Sequence, residues 1–127
     1  MIKPKCFFKK KYFPFFSNAI SPFNSQNTFM NADLLKYYFL FPDQGRMHDI
    51  WASYYMQYVK RVNIVYSEPS VFQKRNKHDL SKDLINEFIG IKYSSKIIDK
   101  MKNKKFKKKD FFSKKSIKAY QLYLKHF

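Results

Sequence analysis

The chain holds one cysteine, two glycines and three histidines among 127 residues. A lone Cys6 forms no internal disulfide and cannot build a thiolate metal cluster within one chain. A reducing, cytoplasmic setting is the expectation that follows. Arginine is scarce too: of 26 cations only Arg46, Arg61 and Arg75 carry a guanidinium. Surfaces that read bases or phosphates lean on arginine, because its planar fork bonds bidentately. No apolar run reaches 18 residues, so no transmembrane helix is expected. The first 16 residues mix five lysines and two prolines with aromatics. They lack the continuous apolar segment and the small-residue cleavage site of a signal peptide.

What is present is positive charge and aromatic bulk. The net charge is +17, and Phe and Tyr number 15 and 10. The charge is unevenly placed. Residues 1–12 hold five lysines and no acid, and residues 100–115 hold nine lysines and Asp110. The body between them, 13–99, has a net of only +2. Basic ends on a nearly neutral body read as compositional drift with solvated tails. Specific nucleic-acid binding is therefore not expected. A small basic protein for nucleic acid or an anionic surface stands as the alternative function, and it predicts binding that weakens steeply with salt. A degenerate fragment with a structural role is a third reading.

Along the chain, residues 1–20 read as irregular or edge structure, since Pro14 interrupts the Phe pairs. Residues 21–28 form a polar loop. Its amides, Asn24, Gln26 and Asn27, both donate and accept hydrogen bonds and so suit sugar hydroxyls, or they serve an ordinary connector. Asn31 caps a short helix running through Tyr38, and Phe41-Pro42 ends it. Apolar residues at 50, 51, 54, 55, 58 and 59 predict a helix over 48–60 with one buried face. Val62 to Tyr66 is β-branched and reads as a strand, and Val71-Phe72 as a second extended piece.

A polar loop, 73–79, follows. There His78 beside Arg75 either ligates a metal or diphosphate or is simply exposed. Leu80, Leu84, Ile85 and Phe88 recur at helical spacing, with Asp79 or Ser81 as cap and Gly90 as the stop. Tyr93 to Met101 makes a further short helix. Lys102 to Lys109 is a solvated, mobile run. Ser113 to His126 closes the chain as a helix, with Ser113 or Ser116 near its cap and a stripe at Ile117, Tyr120 and Leu124.

The stretch with most chemistry is Gln44-Gly45-Arg46-Met47-His48-Asp49-Ile50-Trp51. Gly45 permits a sharp turn. Asp49 falls in the first turn of the next helix, where backbone N–H groups favour a carboxylate. Read locally, this is a capped helix start with an exposed arginine and a core tryptophan, or a site.

Taken in order, these motifs are similar to a known group. Gly45-Arg46-Met47-His48-Asp49-Ile50-Trp51 resembles the Gly-Arg-x-Asp-Asp-hydrophobic-Trp signature of certain glycosyltransferases. They are the reversibly glycosylated polypeptides and the related STELLO-type and bacterial or viral sugar transferases. Ser70 to Leu80 resembles the segment after that group's following strand. Asp83 to Gly90 resembles its Lys-Glu-Tyr-x-Gly-like helix, and Phe23 to Thr28 an upstream loop. The likeness covers about residues 22–100.

The resemblance implies the C-terminal portion of a GT-A (Rossmann-like) glycosyltransferase domain: α/β, helix-rich, with few short strands. It divides the chain into a basic aromatic segment (1–21), a transferase-like half-domain (22–101), a lysine-rich linker (102–112) and a terminal helix (113–127). It makes Asp49 the catalytic acid and places Arg46, Trp51, Asn24, Gln26, Asn27 and Arg75 at the substrate, with His78 toward a divalent metal such as Mn or Mg. The implied partners are a nucleotide-sugar, a glycan acceptor and a separate chain carrying the donor-binding half. Two departures stand out. His48 replaces the first of two acids, and no Asp-x-Asp occurs in the 127 residues. A split or truncated transferase, inactive alone, is the expectation. A half-domain of this kind would leave an apolar face uncovered.

Overall fold

A computed structural model describes residues 12–71, 74 and 79–127. Its centre is helix α1, His48–Lys60. The approach to α1 is a tight stretch, Pro42–Met47, in which two 3-10 turns meet at Gly45. Gly45 sits at φ 53° and ψ −130°, a backbone region closed to residues with a Cβ. Pro42 opens the stretch, where its missing N–H is not needed. The expected helix limits are matched, but the single buried face is not. Every residue from Trp51 to Gln57 is buried. The aromatic stripe packs on one side, and on the other the loop at 21–23 lies over Ser53 and Gln57 and bonds to both. A helix covered all round is a core helix rather than an amphipathic surface one.

The main core is aromatic. Phe41, wholly buried, stacks on Phe112 with ring centres 3.7 Å apart. Tyr55 and Tyr120 close around the pair edge-on and tilted. Tyr120 belongs to helix α3, Lys114–Tyr123, which starts where the Ser113 hydroxyl accepts from Ser116 N. Its hydroxyl donates to the Lys36 carbonyl at 3.0 Å, and Tyr123 donates to the Leu35 carbonyl at 2.8 Å. Those carbonyls lie in the 3-10 stretch Ala32–Tyr37, capped as expected by Asn31. Burial pushes the Tyr120 hydroxyl well above the ordinary phenol range, so it stays a donor at neutral pH.

Helix α2, Leu80–Lys102, runs unbroken for 23 residues from its Asp79 cap. The expected stop at Gly90 and the separate helix from Tyr93 are both corrected. Glycine inside a helix costs only about 1 kcal/mol and need not end it. Here it makes room: a Cβ on Gly90 would sit 2.1 Å from Met47 Cγ. The second half of α2 buries Ile97 and Met101 in the core. The first half leaves Leu80, Leu84, Ile85, Phe88, Ile89 and Ile91 between 59% and 78% exposed.

In the lysine run Lys102, Lys104, Lys105, Lys107 and Lys109 are exposed, as expected of a solvated stretch, while its aromatic residue turns inward. Phe106 packs among Tyr55, Tyr58, Phe111 and Phe112. The Lys108 ammonium lies over the rings of Tyr55 and Tyr120, and Lys100 pairs with Asp110 at 2.9 Å. Its lysines keep their heads near solvent while the turn packs its aromatics.

Among the described residues the strands are β1, Phe15–Ser17, and β2, Ile64–Tyr66. They pair antiparallel, Phe15 opposite Tyr66 and Ser17 opposite Ile64. Val71 is not in a strand, and Phe72 lies outside the described residues. The molecule is a helix-rich small α/β domain with one two-stranded antiparallel sheet. No helix among the described residues is long and apolar enough to cross a membrane.

Candidate functional site

The loop at 21–28 and strand β2 face each other across an open groove of about 680 Å³. The loop is pinned to α1 at its base. Ser21 N donates to Gln57 Oε1 at 3.0 Å, Gln57 Nε2 returns a bond to the Ser21 carbonyl at 2.7 Å, and Phe23 N donates to Ser53 Oγ at 3.4 Å. Across the groove the Tyr66 hydroxyl donates to the Pro22 carbonyl at 2.7 Å. At the rim Asn27 Nδ2 donates to Ser70 Oγ at 3.1 Å. Asn24, Asn27 and Asn31 offer amides to the groove, Ser67 and Ser70 hydroxyls, and Phe23 and Tyr66 rings. Of the described residues lining it, only Glu68 is charged. Gln26 does not line it. Its backbone N–H donates to Asn24 Oδ1 at 3.2 Å and so shapes the turn.

Asp49 lies at the start of α1, half-buried, with Oδ1 accepting from Ile50 N at 2.8 Å. No partner among the described residues binds Oδ2. Asp49 is not among the residues lining the groove, and Tyr38 ties its main chain to the loop. The Tyr38 ring stacks on Phe23 at 5.4 Å, and its hydroxyl donates weakly to the Asp49 carbonyl at 3.4 Å. Burial raises the Tyr38 pKa, the Asp49 charge raises it further, and a hydrogen bond with Ser25 opposes both. The result is pushed up to about 12. The phenol therefore stays protonated and donates to the main chain at Asp49 rather than to its carboxylate. His48 Nδ1 is bonded back to the Gly45 carbonyl, closing the turn on itself.

Other expected site residues are placed differently. Arg46 spends its fork on α2, with Nη1 on Asp83 at 2.9 Å and Nε on Glu87 at 3.0 Å. It clamps the turn to α2 and does not line the groove. Trp51 is 3% exposed, and its Nε1 donates to Ser94 Oγ at 3.0 Å. It reaches only a small separate cleft of about 220 Å³. Arg75 and His78 lie outside the described residues. Among the described residues no three His, Cys, Asp or Glu side chains converge.

Tyr38, Ser53, Gln57 and Tyr66 are the residues that sequence reading passed over. Ser53 and Gln57 carried a signal: two polar residues at i and i+4 on the side of α1 away from its apolar stripe. A buried polar pair of that spacing needs backbone partners, and the loop supplies them. No family model, curated protein or solved structure matches the chain.

Proposed function

We propose that this chain is the acceptor side of a glycosyltransferase-like protein, related to transfer of a sugar from a nucleotide-sugar donor to an acceptor hydroxyl in glycan or surface polysaccharide synthesis. The observation that carries this reading is the character of the groove. On a chain of net charge +17, the described residues lining it include a single charged side chain. Amides and hydroxyls suit sugar hydroxyls, and the rings of Phe23 and Tyr66 suit the apolar faces of a pyranose.

In this reading Asn24 and Asn27 hold the acceptor, and Asp49, which does not itself line the groove, is assigned the proton of the attacking hydroxyl on the strength of its motif. Tyr38 ties the main chain at Asp49 to the loop. Donor binding falls to a separate chain carrying the donor-binding half, with Arg75 and His78 assigned toward the diphosphate and any Mn or Mg that accompanies it. The uncovered apolar face of α2 supports that division, because half a domain leaves such a face exposed.

Calorimetric titration with neutral oligosaccharides tests the proposal. Saturable binding that persists at raised salt is expected, and Asn27→Ala weakens it about fivefold, near 1 kcal/mol. The chain alone turns over no nucleotide-sugar. Absence of sugar binding, or binding indifferent to Asn24→Ala and Asn27→Ala, overturns the assignment.

A further inference from the structure

A second cavity, about 700 Å³, opens where the C-terminal ends of α1 and α2 come together. Three cations line it: Arg61, Lys102 and Lys104. None of its described lining residues is an acid. Arg61, Lys102 and Lys104 have no carboxylate partner among the described residues. Asn18 and Asn63 add amides at the rim.

The backbone at the cavity is unusual. Arg61 (φ 50°) and Lys104 (φ 56°) are the described non-glycine residues with positive φ, and both line this cavity. Each follows a helix end. Arg61 N donates to the Gln57 carbonyl at 2.8 Å, while Lys104 N donates to Met101 and Lys105 N to Lys100. Glycine or asparagine is the usual residue at such a position. A cation near helix carbonyls gains from the helix dipole, which accounts for positive charge at each end separately. The left-handed backbone itself belongs to the two helix-ending turns; what those turns do not account for is that they bring three cations to one cavity with no acid among its described lining residues.

We propose that this cavity binds a compact phosphate-bearing ligand, with Arg61 bonding bidentately and Lys102 and Lys104 acting as point charges. The proposal stands apart from the sugar groove and does not depend on it. The phosphate belongs either to a soluble ester or diphosphate or to a lipid headgroup.

The test uses the full chain labelled with nitrogen-15, titrated with inorganic pyrophosphate and, in a second arm, sedimented with phosphatidylcholine vesicles with and without phosphatidylserine. Arg61→Gly and Lys104→Gly are the informative variants. Each removes a charge while supplying the residue that the backbone prefers, so the melting temperature holds or rises. Expected in wild type are shifts centred on Arg61 and Lys104. Each glycine variant weakens binding about tenfold, and Lys107→Gln with Lys109→Gln stays within about twofold. Loss in the pyrophosphate arm assigns a soluble phosphate, and loss in the vesicle arm assigns a headgroup. Binding unchanged by Arg61→Gly and Lys104→Gly, an equal loss in the Lys107 and Lys109 variants, or no binding in either arm overturns the site.

Discussion

The two large cavities are nearly equal in size, about 680 and 700 Å³, and they share Val62 and Asn63 as a wall. Their linings differ in kind. One offers amides, hydroxyls and rings with Glu68 as its one charged residue, and the other offers three cations and no acid among the described residues. The contrast lies in a few side chains, Arg61, Lys102 and Lys104 on one side and Glu68 on the other. The chain's net charge of +17 therefore does not name its ligand. Two cavities of different character sit on either side of one helix end, because each lining is set by a few side chains.

Gln57 gives the largest lever on this comparison. It is buried, lines the cationic cavity and ties down the loop of the neutral groove. Gln57→Leu leaves Ser21 N and its carbonyl without partners. A loss of about 3 kcal/mol in a denaturant melt is expected, with sugar and pyrophosphate affinities falling together. Retention of either affinity at full strength would show that the cavities do not share this support.

Asp43 gives a smaller effect that spares both cavities. Its carboxylate accepts from Ser113 N at 2.9 Å and from the Ser116 hydroxyl, joining the glycine turn to α3. Burial alone would raise its pKa, but the bonds from Ser113 and Ser116 outweigh burial and hold it well below the usual carboxylate range. A depressed folded pKa means that this contribution is complete above about pH 4, the unfolded value, and is lost as pH falls below it. Stability measured from pH 7 downward should therefore drop below about pH 4 in the wild type. The drop should be shallower in Asp43→Asn, which costs about 1 kcal/mol at neutral pH after allowing for exposure.

Arg46→Gln should cost least, about 0.5 kcal/mol and less at high salt, because its pairs with Asp83 and Glu87 are partly exposed. Sugar affinity should not change. A large fall in sugar affinity would restore Arg46 to the substrate and redraw the groove.

Local features were legible in the residues. The caps at Asn31, Asp79 and Ser113, the turn at Gly45 and the limits of α1 all depend on neighbours within a few positions, and the structure has each of them. What failed depended on distant partners. Gly90 looked like a helix stop because the side chain needing its space, Met47, comes from another element. Arg46 looked free for substrate because its partners stand 37 and 41 residues away. The amides of the 21–28 loop were recognised by type. Their groove was not, since it rests on Ser53 and Gln57 being covered by a loop 30 and 36 residues upstream.

The central claim is that the neutral groove takes a sugar. Mapping amide shifts during titration with a neutral oligosaccharide, at low and at raised salt, tests it most directly. The account predicts shifts confined to residues 22–31 and 62–70, with an affinity that salt leaves within about twofold. Shifts spread over the lysines of residues 100–115, or an affinity that collapses as salt rises, would contradict it.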